Sequence, residues 1–337
     1  MIDGKPSRRS ILLGGSSTLI VLSGCDQWKT HSSADFPTPI SIAMQTWIGY
    51  GYCVIAGEEG FFGDMQVDMS VVEDGTALVG GMTGGTTQII GSTLDQFVLQ
   101  RSNNLPGRLL AITDDSYGGD GLAVTDTIQT FDQMRGKRIA YTPGPSSEYV
   151  LATALKSVGM TLDDITPVTF SDPGGTVAAF VNGKVDAACI FQPYLQQTLS
   201  RPGSRLLFTT KQFPDISVGC FILREGLQNG DKIAKRFVEG LKKAQAYAGA
   251  HPAEANAILK RFFSVDDKLL GTMRAGARLK TAADNVRYLS SAGGREPAAL
   301  PLLQNVDAFY RSRKVAGPHM MSASDIDPNA AAAFEAR

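Results

Sequence analysis

Pro39-Ile40-Ser41-Ile42-Ala43-Met44, then Gly51-Tyr52-Cys53-Val54-Ile55-Ala56-Gly57-Glu58-Glu59-Gly60, then Met65-Gln66-Val67-Asp68-Met69-Ser70-Val71-Val72 are the stretches that decide the fold class. The first reads as a strand. The second has helical length, and Phe61-Phe62-Gly63 ends it. The third alternates with a period of two, which marks a second strand. Strand, helix and strand in that order make a parallel βαβ unit.

The same alternation continues outward. Short strands are expected at 88–90, 108–113, 138–141, 166–170 and 187–191, with helices at 93–101, 148–158 and 175–182 between them. Strands at 205–210 and 216–223 follow, and from Asp231 the pattern is helical to Arg313. The fold class is therefore α/β, with a helical C-terminal third packed onto one unit. Asp114-Asp115-Ser116-Tyr117-Gly118-Gly119-Asp120 has the Gly and Asp content of a loop.

Composition narrows the function. The 337 residues carry 32 basic and 33 acidic side chains, so nothing favours nucleic acid or an anionic surface. Of four cysteines, Cys53, Cys189 and Cys220 sit in apolar contexts without CxxC spacing, as buried thiols do. Neither a zinc site nor a disulfide framework is expected.

The N-terminal segment reads as an export signal. Lys5, Arg8 and Arg9 precede a short apolar run, 11–22, well below the ~20 residues of a membrane-spanning helix. Ser7-Arg8-Arg9-Ser10-Ile11-Leu12 resembles a twin-arginine signal. Leu22-Ser23-Gly24-Cys25 resembles the lipobox of bacterial lipoproteins, in which the cysteine is lipidated and becomes the new N-terminus. Residues 1–24 are then a signal peptide, Cys25 a lipid anchor, and 25–38 a polar, flexible tether. Asp26 accords with retention at the inner membrane in Gram-negative lipoproteins of this kind.

An ordered set of motifs resembles one protein family. Thr46-Trp47-Ile48-Gly49-Tyr50-Gly51-Tyr52 and Ala56-Gly57-Glu58-Glu59-Gly60-Phe61-Phe62 open it. Gly91-Ser92-Thr93-Leu94-Asp95 and the 114–120 loop follow, then Asp132-Gln133-Met134-Arg135-Gly136-Lys137-Arg138-Ile139, similar to a "DLKGKKV" run. The stretch 144–149 and the run from Val181 to Gln192-Pro193 complete the set. Together they resemble the periplasmic solute-binding proteins of ABC importers, in the branch for aliphatic sulfonates, taurine, nitrate and thiamine-pyrimidine precursors.

The resemblance implies a type II periplasmic-binding-protein fold: two lobes, each a mostly parallel sheet, joined by a two-crossing hinge. Lobe 1 would comprise 39–120 and 218–337, and lobe 2 would comprise 121–217. The crossings would lie near 118–122 and 214–219, where Gly118, Gly119 and Gly121 tolerate large backbone changes. Open α/β sheets bind ligands beyond the C-terminal ends of their strands.

That geometry selects the candidate ligand contacts. Trp47, Tyr50 and Tyr52 follow the first strand and offer aromatic walls with polar edges. Ser92, Thr93 and Asp95 stand at a strand-to-helix turn, where a capping role and a ligand role use the same free N–H groups. Ser146 and Ser147 precede a helix in the second lobe, and Asp120 belongs to the hinge cluster. Gln192, in Phe191-Gln192-Pro193, replaces the Glu of the Trp-Glu-Pro run found in pyrimidine-precursor binders. No Lys or Arg falls in these segments, which disfavours a purely anionic ligand and favours an amine, a zwitterion or a neutral heterocycle.

No catalytic set is expected. His31, His251 and His319 lie outside the α/β region, so neither a Ser-His-Asp triad nor a metal site can form there. GxSxG, P-loop and GxGxxG motifs are absent. The resemblance implies no cofactor and no metal. It implies a monomer that binds a small-molecule ligand, partners an ABC permease and ATPase, and sits at the periplasmic face of the inner membrane. Two alternatives stay open: a ligand-sensing partner of a membrane receptor, and an enzyme like the pyrimidine-precursor synthases of this fold.

Overall fold

The computed structural model describes residues 36, 39–142, 146–291 and 294–336. The signal peptide, Cys25, the tether apart from Phe36, and Pro143, Gly144 and Pro145 lie outside the described residues. Among the described residues no helix is long and apolar enough to cross a membrane.

The order is β1 (Ile40–Met44), α1 (Gly51–Glu58), β2 (Val67–Val71), α2 (Gly75–Gly84), β3 (Ile89–Thr93), α3 (Leu94–Ser102) and β4 (Gly107–Ser116). Then come β5 (Asp120–Thr125), β6 (Arg138–Tyr141), α4 (Ser146–Lys156), β7 (Thr166–Thr169), α5 (Pro173–Val181), β8 (Ala187–Phe191), α6 (Tyr194–Thr198) and β9 (Ser204–Thr209). The chain ends with β10 (Val218–Arg224), α7 (Gly230–Ala250), α8 (Pro252–Phe263), α9 (Asp267–Ala275), β11 (Ala277–Leu279), α10 (Ala282–Leu289), α11 (Ala299–Ser312) and α12 (Pro328–Glu335).

Local chemistry accounts for these elements. Asp74, Asp172 and Asp327 each cap a helix by accepting from first-turn N–H groups, and Pro173 and Pro328 begin theirs where no N–H is needed. In α7 the residues Ile233, Phe237, Leu241 and Ala244 recur at helical spacing and are buried as one stripe. Strand β8 is buried at all five positions, as expected of a strand covered on both faces.

Two sheets result, each covered by helices into a lobe. The first has the order β11-β4-β10-β3-β1-β2 and the second β7-β6-β8-β5-β9. The chain passes between them at 117–119 and again at 210–217. The sheets are mixed, which corrects the expectation of mostly parallel ones. Only β1–β2, β1–β3, β6–β7 and β6–β8 pair in parallel; β10 and β5 pair antiparallel on both sides. The cause is the hinge. A strand that starts at a crossing runs against strands that end there, whereas helical crossovers keep neighbours parallel.

Two further expectations are corrected at the first crossing. Asp114 and Asp115 are not in a loop but within β4, held there by pairing with β10 and β11. Asp120 is not the last residue of the first lobe but the first of β5 in the second sheet. The crossings are bonded to each other: the Ser116 N–H donates to the Ser217 carbonyl at 2.8 Å, and the Ser116 and Thr210 hydroxyls meet at 2.8 Å.

The lobes also touch away from the hinge. Arg313, just past α11, pairs with Glu148 of α4 at 3.3 Å, and Tyr149 packs edge-on against Phe309. Cys53, Cys189 and Cys220 are buried free thiols.

Candidate functional site

A cavity of about 30 Å³ lies between the sheets at the crossings. From the first lobe it is lined by Gln45, Trp47, Tyr50, Thr93, Asp114 and Gly219, and from the second by Asp120, Ser146 and Phe191. Ser217, on the second crossing, completes it. At this volume it has room for one or two waters.

The chain builds this wall for local reasons. Trp47 follows β1 in extended backbone, and its ring lies beside Gly119, where a Cβ would come within 2.3 Å of the ring. The Trp47 indole N–H donates to Asp114 Oδ2 at 3.0 Å, and the Thr113 hydroxyl donates to Asp114 Oδ1 at 2.8 Å. Gly219 leaves space for that carboxylate: a Cβ there would stand 2.1 Å from Asp114 Oδ1. Gly219→Ala is therefore expected to displace Asp114 and cost about 1–3 kcal/mol, read as a lowered midpoint in chemical denaturation. An unchanged midpoint would show that the carboxylate moves freely.

The electrostatics are one-sided. Asp95, Asp114 and Asp120 are each at most 2% exposed. Burial pushes the Asp95 carboxyl up to about 7, the Asp114 carboxyl up to about 7 and the Asp120 carboxyl up to about 6; repulsion among these groups and Asp115 adds to this, and hydrogen bonds oppose it. Ser146 Oγ donates to Asp120 Oδ1 at 3.3 Å. The Thr93 hydroxyl and Asp95 Oδ1 are both buried without a hydrogen-bond partner. The cationic groups nearest in charge effect, Lys280 and Arg278, act on Asp115, one residue along β4. Tyr50, Tyr149, Tyr310 and Cys220 also face the cluster. No Lys, Arg or His is among the lining residues.

Of the sequence candidates, Trp47, Tyr50, Thr93, Asp120 and Ser146 come together on the cavity wall. Asp95 lies beside them on α3, with the Tyr310 hydroxyl 3.5 Å away. The others are not among the cavity's lining residues. Tyr52 lines a separate cavity of about 170 Å³ with Ile55, Gln245, Leu259 and Arg274, because helix α1 has already turned it away. Ser92 donates to Gln96, and Ser147 is buried without a partner. Gln192 Oε1 accepts from the Gln196 N–H. Gln45, Phe191, Ser217 and Gly219 also line the wall without being sequence candidates, and so does Asp114. Its signal was its neighbours: three carboxylates within seven positions of an otherwise apolar region.

Two mixed sheets joined by paired crossings, with a cavity between them, define the periplasmic-binding-protein fold. The chain belongs to the NMT1/THI5-like family, whose model matches residues 49–255. The alkanesulfonate-binding protein of Xanthomonas axonopodis pv. citri, solved with MOPS, superposes with a TM-score of 0.71 at 17% identity, covering 86% of this chain and 98% of its own. A Brucella abortus chain named as a binding protein is 25% identical over 263 residues, 76% of this chain and 78% of its own. A Candida albicans chain named as 4-amino-5-hydroxymethyl-2-methylpyrimidine phosphate synthase is 25% identical over 226 residues, 60% and 64% of the two chains.

Proposed function

We propose that this chain is the substrate-binding component of a bacterial ABC importer, tethered through lipid on Cys25 to the periplasmic face of the inner membrane. It captures a small organic solute, nitrogen-containing or sulfonate-type, between its lobes and hands it as a monomer to a permease driven by an ATPase. No covalent step is needed. One observation carries the reading: residues of both lobes wall a single cavity at the crossings, so closing the lobes and enclosing a solute are the same motion. The fold shared with the alkanesulfonate-binding protein supports it. The relationship to a named synthase makes an enzyme the second reading, but the cavity wall offers no Lys or His to hold or protonate a reacting group.

The chain from Asp26 onward, examined by native mass spectrometry, is expected to retain one small molecule that denaturation releases unchanged. Conversion of an added solute into a new product would overturn capture in favour of catalysis.

A further inference from the structure

We infer that the solute held in this cavity carries a protonated nitrogen, an alkylammonium or amidinium group, seated between Asp114 and Asp120 against the faces of Trp47, Tyr50 and Phe191. The inference rests on the capture role proposed above and names its ligand class.

Four observations lead to it. Asp114 and Asp120 enter the cavity from opposite lobes, so a cation between them binds both halves of the closed form. Asp95 stands directly behind, 2% exposed, with Oδ1 unsatisfied. Three rings line the same space, and aromatic faces attract cations. Finally, among the described residues the cations nearest the cavity are engaged elsewhere: Arg313 pairs with Glu148, and Lys280 and Arg278 act on Asp115. Buried charge without a counter-charge is strongly unfavourable, so a ligand cation is what would let these carboxyls ionise together.

The competing ligand chemistries fit less well. A sulfonate or nitrate would meet carboxylates on both sides and no basic donor. A metal ion needs converging ligands, and among the described residues no group of His, Cys, Asp or Glu is arranged to hold one. An organic cation needs only diffuse negative charge and an apolar wall.

The test uses three probes with one body: 1-propylamine, 1-propanol and 1-propanesulfonate, each titrated to saturation against the unliganded chain at about pH 8, where the raised carboxyls are ionised. Propylamine is expected to raise Tm by about 5 °C at a hundredfold excess over its Kd, and the other two are expected to leave it unchanged. In Asp114→Asn/Asp120→Asn the propylamine shift should vanish, while the variant without ligand melts above the wild type because two unanswered charges are gone. An equal or larger shift with propanesulfonate or propanol overturns the cation and leaves solute capture standing. No shift with propylamine, or a double variant that melts below the wild type without ligand, also overturns it. Failure of capture itself reads differently: no small molecule is then retained in the native mass spectrum.

Discussion

The unliganded protein is expected to lose stability as the pH rises from about 4 to about 7, the reverse of ordinary acid denaturation. Asp95 and Asp114 hold their protons in the folded chain up to about 7 and Asp120 up to about 6, against 3.8 for an ordinary Asp. Across that window the folded state binds more protons than the unfolded one, so unfolding free energy falls with pH and levels off above it. One carboxyl shifted this far lowers stability by about 4 kcal/mol. Other acids pull the opposite way, but lower on the scale. At Asp325 burial is outweighed by hydrogen bonds from Arg101, Ser322 and His319, which hold it below its ordinary value. Its contribution is present above about pH 4 and fades only below that. Calorimetry in low-salt buffers from about pH 4.5 to 7.5 should show Tm falling throughout. A flat or rising Tm would mean the three carboxylates find compensation inside the protein. Adding a bound cation should flatten the slope, since it answers the same charge.

The second large effect falls on Trp47. Its ring closes the cavity, and its N–H is one of two side-chain donors to Asp114. Trp47→Ala is expected to weaken solute binding about 10- to 100-fold, the range of a central aromatic contact. A wall residue that served only the ligand would spare stability when removed. The structure alters that expectation, because the ring is only 8% exposed and belongs to the main hydrophobic core. A cost of about 3 kcal/mol in folding should accompany the lost affinity. Trp47→Phe keeps an aromatic face and removes the donor, so affinity should fall with a smaller loss of unfolding free energy than in Trp47→Ala. Binding by Trp47→Phe as tight as wild type would remove the indole N–H from the mechanism.

Much of this architecture is legible in sequence because period and punctuation are local. The βαβ opening and the helix of α7 read directly from residue order, whereas the crossings, expected near 118–122 and 214–219, come from the family resemblance. Strand direction does not read from residue order. Nothing local in 218–224 tells β10 that it will insert backwards between β4 and β3. Asp114 and Asp115 failed for a related reason: two acids in a row argue for a turn, and only pairing with β10 and β11 overrides that preference. At the site, Trp47 and Tyr50 are separated from Tyr52 by the start of α1. An alternating rule carried across that boundary puts Tyr50 and Tyr52 on one face, whereas the helix turns the second away. Ser92 and Gln192 were lost to hydrogen bonds four residues along the chain, which no spacing rule ranks above a ligand.

The contact between Arg313 and Glu148 bears on how firmly the lobes are joined. It joins the lobes at a distance from the cavity, at 3.3 Å, with the two side chains 31% and 11% exposed. Parting the lobes pulls these charges apart through solvent. The work this takes depends on the ions in that solvent, since the screening length shrinks from about 30 Å in 0.01 M salt to about 8 Å at 0.15 M. The strength of this link between the lobes is thus written partly into the surrounding medium. In dilute water this clasp holds more firmly, and in brine it yields more readily.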